Sequence, residues 1–68
     1  MIKFKIEDDY IELIKLLKAT GIAESGSFAK EMVEQGDVLL NGEPESRKRA
    51  KLRRGDKIEV ADQVIIIE

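Results

Sequence analysis

Residues 37–60 read DVLLNGEPESRKRAKLRRGDKIEV, in which two turn signals flank a dense basic segment. The first signal, Asn41-Gly42, follows the apolar run Val38–Leu40 and predicts a type I′ hairpin, because that turn needs positive φ at both central positions. Pro44 has no backbone N–H to donate, so the returning strand is expected to be short or at a sheet edge. The second signal, Gly55-Asp56, predicts a turn before the next strand. This part of the chain therefore predicts several short strands.

The basic segment between the turns, residues 47–54, holds six of the twelve basic residues of the chain: Arg47, Lys48, Arg49, Lys51, Arg53 and Arg54. The rest of the chain has 6 basic and 14 acidic residues, a net charge of −8. Salt limits the reach of each charge to about 8 Å, so the segment attracts polyanions locally although the chain as a whole is acidic. A basic run is equally often a solvated loop, and charge alone leaves both interpretations open. Within the segment, only Ala50 and Leu52 are expected to face a core.

Upstream of this stretch, apolar spacing predicts a helix from Tyr10 to Thr20. Asp8 and Asp9 are expected to cap it or to favour its positively charged N-terminal end, and Gly21 is expected to close it. Its core-facing stripe is predicted to hold Tyr10, Leu13, Ile14 and Leu17, widened by Ile11 and Leu16.

A second helix is expected to open at Ser25-Gly26-Ser27, with either serine as its N-cap, and to end at Gly36. Its buried face is predicted to hold Phe28, Ala29, Met32 and Val33. The link formed by residues 21–24 is short, so the two helices are expected to pack against each other.

Strand patterns complete the chain. Residues 2–7 alternate apolar and charged side chains, which predicts a short strand with one buried face. Residues 58–60 predict another strand, which Ala61-Asp62 connect to the final apolar run Val64–Ile67. That run is either covered by the first strand or an edge that pairs between chains. The order of elements predicts an α+β fold: a short N-terminal strand, two packed helices, then a small, mostly antiparallel sheet.

Length and composition restrict the classes of protein to which the chain can belong. With 68 residues it should form a single domain, residues 1–68. The absence of Cys excludes disulfides, and the absence of both Cys and His nearly excludes a zinc site, so no metal and no cofactor are expected. No run approaches the roughly 18 apolar residues that a membrane span needs, and the N-terminus lacks the apolar region of a signal peptide. A cytoplasmic protein is expected.

Catalysis finds little support in the residue types present. The chain has no His for proton transfer near neutral pH and no Cys nucleophile. The carboxylate pairs Asp8-Asp9 and Glu43/Glu45 fall in polar surface segments, where the burial that acid–base catalysis needs is not expected. We therefore do not expect an enzyme.

A family resemblance extends over most of the chain, roughly from Asp9 to Val60. It rests on the run Leu13-x3-Leu17-x3-Gly21-x3-Ser25-x3-Ala29-Lys30-x5-Gly36-x-Val38-x2-Asn41-Gly42, followed by Leu52-x2-Gly55-Asp56-x-Ile58-x-Val60. No single piece is diagnostic, but the set at this spacing resembles the S-four-type RNA-binding domain, or αL motif, named after ribosomal small-subunit protein S-four. The Ser25-Gly26 pair, the Ala29-Lys30 pair and the basic segment are most similar to the small stand-alone bacterial YbcJ-like proteins of this family.

The resemblance implies binding to structured RNA, such as ribosomal or transfer RNA, by the second helix and a basic sheet edge. The residues it singles out for RNA binding are Ser25, Lys30, Arg47, Lys48, Arg49, Lys51, Arg53 and Arg54. The sequence departs from the family at Glu12 and Gly26, where many members carry basic residues. These departures weaken the usual helical RNA face and give more weight to the basic segment.

The chemistry of these residues suits phosphate. Arginine offers a planar fork for bidentate contact, and the start of the second helix offers free backbone N–H groups. Our hypothesis is that this helix start and the basic segment form one continuous surface, with Lys30 one turn into the helix. The ordinary alternatives remain open: Ser25 is more often a plain N-cap, Gly26 a turn residue and Lys30 a solvated lysine.

Aromatic residues are scarce, and Phe4, Tyr10 and Phe28 all fit core or near-core positions. A stacking platform for single strands is therefore not expected, which favours recognition of folded RNA by shape and backbone with steep salt dependence. We expect a monomer that binds structured RNA. Association with a ribosome or with another protein is left open. Two alternatives stay open: a protein-interaction module that docks an acidic partner protein through the same patch, and a duplex DNA binder.

Overall fold

The computed structural model describes residues 1–68, which form two helices and seven short strands. The helices are α1 (Leu13–Ala19) and α2 (Gly26–Glu34). The strands are β1 (Ile2–Phe4), β2 (Ile11–Glu12), β3 (Leu39–Leu40), β4 (Glu43–Pro44), β5 (Lys51–Leu52), β6 (Lys57–Val60) and β7 (Gln63–Ile67). No helix combines the length and the apolar character that crossing a membrane requires.

Five of the strands form one sheet in the order β1-β7-β6-β3-β4, and β2 pairs with β5 in a separate ladder. All pairs are antiparallel except β1 and β7, which run parallel. The predicted α+β class, with two helices and a small, mostly antiparallel sheet, is confirmed. The last strand is not an edge, because β1 covers it through the pairs Ile2↔Ile65 and Phe4↔Ile67.

The predicted hairpin turn is confirmed. Asn41 and Gly42 have φ values of 51° and 88°, as a type I′ turn requires, and Pro44 lies in the two-residue edge strand β4. The Asn41 amide donates to Asp56 Oδ1 at 3.1 Å, and its oxygen accepts from the backbone N–H of Lys57 at 2.9 Å. This side chain therefore ties the hairpin to the Gly55-Asp56 turn on the other side of the basic segment.

Helix α1 begins at Leu13, three residues later than its apolar pattern predicted. Residues 11–12 instead pair with residues 51–52, and neither Asp8 nor Asp9 caps the helix. Glu12 occupies the N-cap position without a side-chain hydrogen bond. The first backbone N–H groups of α1 find tertiary partners: Leu13 N donates to Ala50 O at 2.9 Å and Ile14 N to Lys48 O at 3.2 Å. The basic segment, not a local carboxylate, caps this helix.

Helix α2 follows its predicted bounds. Ser25 is the N-cap and accepts from Phe28 N at 3.1 Å, and Gly36 ends the helix with φ 79°. Ala29 and Val33 are buried and Met32 is half-buried, but Phe28 is 47% exposed, so its predicted place in the core is wrong. Phe28 lies about 100° around the helix from the buried Ala29, so the two side chains do not share one buried line of the helix.

The core consists only of apolar side chains drawn from both helices, the sheet and the basic segment. Its buried members are Ile6, Leu13, Leu16, Leu17, Ala23, Ala29, Val33, Val38, Ala50, Leu52, Ile58, Val60, Ile65 and Ile67. Ala50 and Leu52 are buried as predicted, with 3% and 0% of their surface exposed. The basic segment is therefore anchored in the core and is not a solvated loop.

We expect Leu52→Ala to lower the free energy of unfolding by about 2–5 kcal/mol, because it removes a fully buried side chain from a small core. Urea denaturation measures this loss. Arg49→Ala is the matched control, since its side chain is exposed, and it should change stability by no more than about 0.5 kcal/mol. Equal stabilities for the two variants would show that the segment is not anchored by Leu52.

Candidate functional site

The basic segment follows β4 and includes β5, and four of its six cations share one surface. Around β5, Lys51 and Arg53 are exposed while Leu52 between them is buried, as strand alternation dictates. Ala50 is also buried, and the exposed Arg49 precedes it. The buried residues hold the backbone in the core, so the neighbouring cations project from a fixed base.

Four cations line a shallow groove of about 450 Å³: Arg47, Arg49, Lys51 and Arg53, with Ala50 at its base. We call this feature the basic groove. All four residues are exposed. Exposed cations that converge on a concave surface attract a polyanion more strongly than the same charges spread over a sphere, because their fields add in the groove.

The other two cations of the segment lie outside the groove. Arg54 donates from Nη2 to the backbone oxygen of Ile6 at 2.8 Å, a partly buried bond that joins the segment to the chain two residues after β1. Lys48 is half-buried, and its Nζ lies 3.9 Å from Glu34 Oε2 at the end of α2. The six predicted cations therefore divide into four that share a groove and two that hold neighbouring elements.

Arg47 is engaged by a neighbouring carboxylate. Its Nε and Nη2 donate to the two oxygens of Glu45, each at 3.1 Å, and its backbone N–H donates to the same carboxylate at 3.0 Å. These bonds lower the pKa of Glu45 below its usual range, and the side-chain bonds from Arg47 have the largest effect. Glu45 thus stays ionised at neutral pH, fixes the Arg47 guanidinium at the groove and offsets part of its charge.

The two candidates on α2 are placed differently from each other. Ser25 lies at the start of the helix, and its hydroxyl oxygen is occupied by the cap bond to Phe28 N. Lys48 lies near the opposite end of the helix, at Glu34. With a rise of 1.5 Å per residue, that end is about 13 Å from Ser25. The helix start therefore lies at the end of α2 away from Lys48, and the hypothesis that it forms one surface with the basic segment stays a prediction.

Lys30 is exposed and precedes Glu34 by four residues, so both lie on the same line of the helix surface. Gly26 is the next position along that line, and a side chain added there would approach Lys18 of α1 at 3.9 Å. Along this line of α2, Lys18 lies near Gly26, Lys48 lies near Glu34 and Lys30 comes between them, and we call these three lysines the lysine seam. Lys18 was not predicted as a site residue, because only the packing of α1 against α2 brings it there.

Tyr10 is exposed beside Lys51, one of the groove cations, which contradicts its predicted place in the core. The residue is 39% exposed, and Lys51 Nζ lies over its ring at 4.9 Å from the centroid. Because α1 starts late, Tyr10 precedes a strand and is not part of the helical stripe. A signal for this position was missing from the sequence, since apolar spacing alone fits the helix equally well. Phe4, by contrast, packs against the core as predicted.

Comparison with known proteins assigns this architecture to a family. The family model described as the S4 domain matches residues 4–68. The probable ribosome maturation protein RlbA of Bacillus subtilis (strain 168) is 36% identical over 55 residues, which cover 81% of this chain and 78% of RlbA. YbcJ of Escherichia coli (strain K12) is 40% identical over 52 residues, which cover 76% of this chain and 74% of YbcJ.

A solved structure extends the likeness to three dimensions. The solution structure of YbcJ from E. coli, described as revealing an αL motif involved in RNA-binding, matches with a TM-score of 0.75 at 34% identity. The match covers 98% of this chain and 86% of that one. The family resemblance inferred from the sequence, including its YbcJ-like character, is confirmed.

The pH dependence of stability should report the pair between Glu45 and Arg47. Because the folded-state pKa of Glu45 is lowered, the pair stabilises the fold above the unfolded pKa of about 4.5, and this contribution disappears as pH falls through the lower folded pKa. Glu45→Gln should therefore lower the melting temperature by a few degrees at pH 7 and by almost nothing at strongly acidic pH. Thermal unfolding at both extremes measures the difference.

Glu43→Gln provides the control for this experiment, because Glu43 is an exposed carboxylate of the edge strand without an ion pair. It should leave the melting temperature close to that of the parent at neutral pH. A Glu45→Gln deficit that stays constant down to strongly acidic pH would contradict an ionic origin.

Proposed function

This chain belongs to the S4 domain family, and we propose that it binds structured RNA through the basic groove, with the lysine seam as a secondary contact. It is a binding domain and not an enzyme. The observation that carries the proposal is the placement of Arg47, Arg49, Lys51 and Arg53 around one groove on a segment anchored in the core.

Anchoring matters because binding costs less when the cations are already ordered. A flexible basic loop loses conformational freedom when it closes on phosphate, whereas a segment held by Ala50, Leu52 and two backbone bonds to α1 has already lost it on folding. Three of the four groove cations are arginine, whose fork can contact two phosphate oxygens at once. The groove is therefore suited to the backbone of a nucleic acid with a defined shape.

Folded RNA fits the groove better than an extended single strand does. Single-strand binders use a series of aromatic platforms, and here one exposed tyrosine borders the groove. Recognition then depends on the shape and backbone of the RNA. The ribosome maturation role named for RlbA favours ribosomal RNA as the ligand. A transfer-RNA-like RNA is the other candidate among structured RNAs.

The helical residues make a smaller contribution in this proposal. Lys30 and Lys48 extend the positive surface along the helix seam, although Glu34 offsets part of the Lys48 charge. The hydroxyl oxygen of Ser25 is already bonded to Phe28 N, so Ser25 contributes indirectly. As the N-cap it fixes the start of α2, where other backbone N–H groups remain free for a phosphate. Arg54 adds positive charge while one of its N–H groups holds the Ile6 carbonyl.

Reversing two groove charges tests the proposal. We expect Arg47→Glu with Arg49→Glu to weaken binding of an RNA hairpin by at least about tenfold and to flatten the salt dependence by about one log–log unit for each lost contact. Fluorescence anisotropy of the labelled hairpin at several salt concentrations measures both, and circular dichroism checks that the variant is folded.

The matched control is Lys3→Glu with Lys57→Glu, which makes the same change of net charge on the sheet. Lys3 and Lys57 are exposed and both lie opposite Ile66, one on each neighbouring strand. This control should bind far better than the groove variant. Equal losses in both would show that only net charge matters. A different result would assign the groove to protein docking. In that case the parent protein binds no RNA, but it captures an acidic protein in a complex that survives nuclease treatment.

A further inference from the structure

Tyr10 is a large aromatic residue with 39% of its surface exposed. It belongs neither to the buried core nor to the half-buried side chains packed against it. Its hydroxyl takes part in none of the side-chain hydrogen bonds of the protein. Lys51 lies over the ring, and the exposed remainder of the side chain is available to a ligand.

Strand register places Tyr10 on the same face as the groove cations. The ladder pairs Ile11 with Leu52 and Glu12 with Lys51, and Tyr10 and Arg53 are the residues that flank the Ile11–Leu52 pair at the end of the ladder. Leu52 points into the core, and side chains alternate along each strand, so Tyr10, Lys51 and Arg53 project from the opposite face. The contact of Lys51 with the Tyr10 ring, at 4.9 Å, agrees with this register.

Charges of both signs surround the ring. Lys51 lies over it, and Lys51 and Arg53 belong to the basic groove. Tyr10 also borders a hollow whose lining includes Asp8, Glu12 and Lys15. The groove cations attract a phosphate, whereas the two carboxylates beside Tyr10 disfavour one next to the ring. A nucleotide whose phosphate lies in the groove would thus place its uncharged base on the tyrosine.

We propose that Tyr10 stacks on an unpaired base, so that the preferred RNA is a duplex interrupted by a bulge or loop next to the phosphates held in the groove. This inference rests on the proposed function and makes it more specific. Duplex bases are already stacked and inaccessible, so only an unpaired nucleotide can use the ring. Lys51 then binds the phosphate of that nucleotide while the base lies on Tyr10.

Two hairpins that differ by one nucleotide test the inference. One is fully paired, and the other carries a single bulged 2-aminopurine in the same stem. We expect the parent protein to bind the bulged hairpin roughly tenfold more tightly, as one base–aromatic stack allows, and to quench the 2-aminopurine fluorescence. This comparison needs no substitution and so does not depend on the folding of a variant.

Variants then assign the effect to the ring. Tyr10→Leu should bind both hairpins with the affinity that the parent has for the paired one and should leave the fluorescence unquenched. Tyr10→Phe keeps the ring and should behave like the parent. Phe28→Leu is the matched control, because Phe28 is also an exposed aromatic residue but lies in the first turn of α2.

Each other outcome has a defined meaning. Equal affinity of the parent for the two hairpins, or a bulge preference that survives in Tyr10→Leu, overturns stacking by Tyr10 while leaving RNA binding by the groove in place. Failure of the parent to bind either hairpin at low salt overturns the proposed function and this inference together.

Discussion

The structure depends on the attachment of the basic segment to the start of α1. The carbonyl oxygens of Lys48 and Ala50 accept the first two backbone N–H groups of that helix, and Ala50 and Leu52 enter the core beside it. A helix of seven residues is too short to be stable by itself, so α1 needs these partners. The same contacts hold the cations in place. One attachment therefore completes the helix and orders the candidate site.

The charges of the segment are not equivalent once they are folded. Arg47 is fixed by Glu45, Lys48 lies near Glu34, and Arg54 holds a backbone carbonyl. Arg49 and Arg53 have exposed side chains without an acidic partner, and Lys51 contacts the ring of Tyr10. The groove thus combines positioned cations with free ones. In the proposed function, the positioned cations supply specificity for a shaped polyanion, and the free cations supply much of the long-range attraction.

Most elements of the fold follow from local sequence signals. The hairpin at Asn41-Gly42, the cap at Ser25 and the end of α2 at Gly36 were all predicted, because each depends on the backbone preferences of one or two neighbouring residues. The α+β class and the family were predicted for a related reason, since spacing between such signals survives when individual residues change.

The errors share a different cause, which is tertiary contact. The start of α1 was misplaced because its cap comes from Lys48 and Ala50, more than thirty residues along the chain. Tyr10 was placed in the core as a result of that error. The basic residues of the site were predicted from composition, but no local signal shows that four of them share a groove or that Lys18 joins Lys30 and Lys48 along the helices. The roles of all eight predicted residues in RNA binding, the six cations as well as Ser25 and Lys30, remain predictions.

The most direct test of RNA binding by shape and backbone is a titration that compares one hairpin in RNA and DNA form. Fluorescence anisotropy of the two labelled hairpins, of the same sequence, would be followed at about 50 and 200 mM salt. We predict saturable binding that prefers the RNA hairpin and weakens steeply at the higher salt, because A-form geometry and 2′-hydroxyls distinguish RNA from DNA while phosphate contacts supply the affinity. Equal binding of both hairpins, or no binding at the lower salt, would contradict the account.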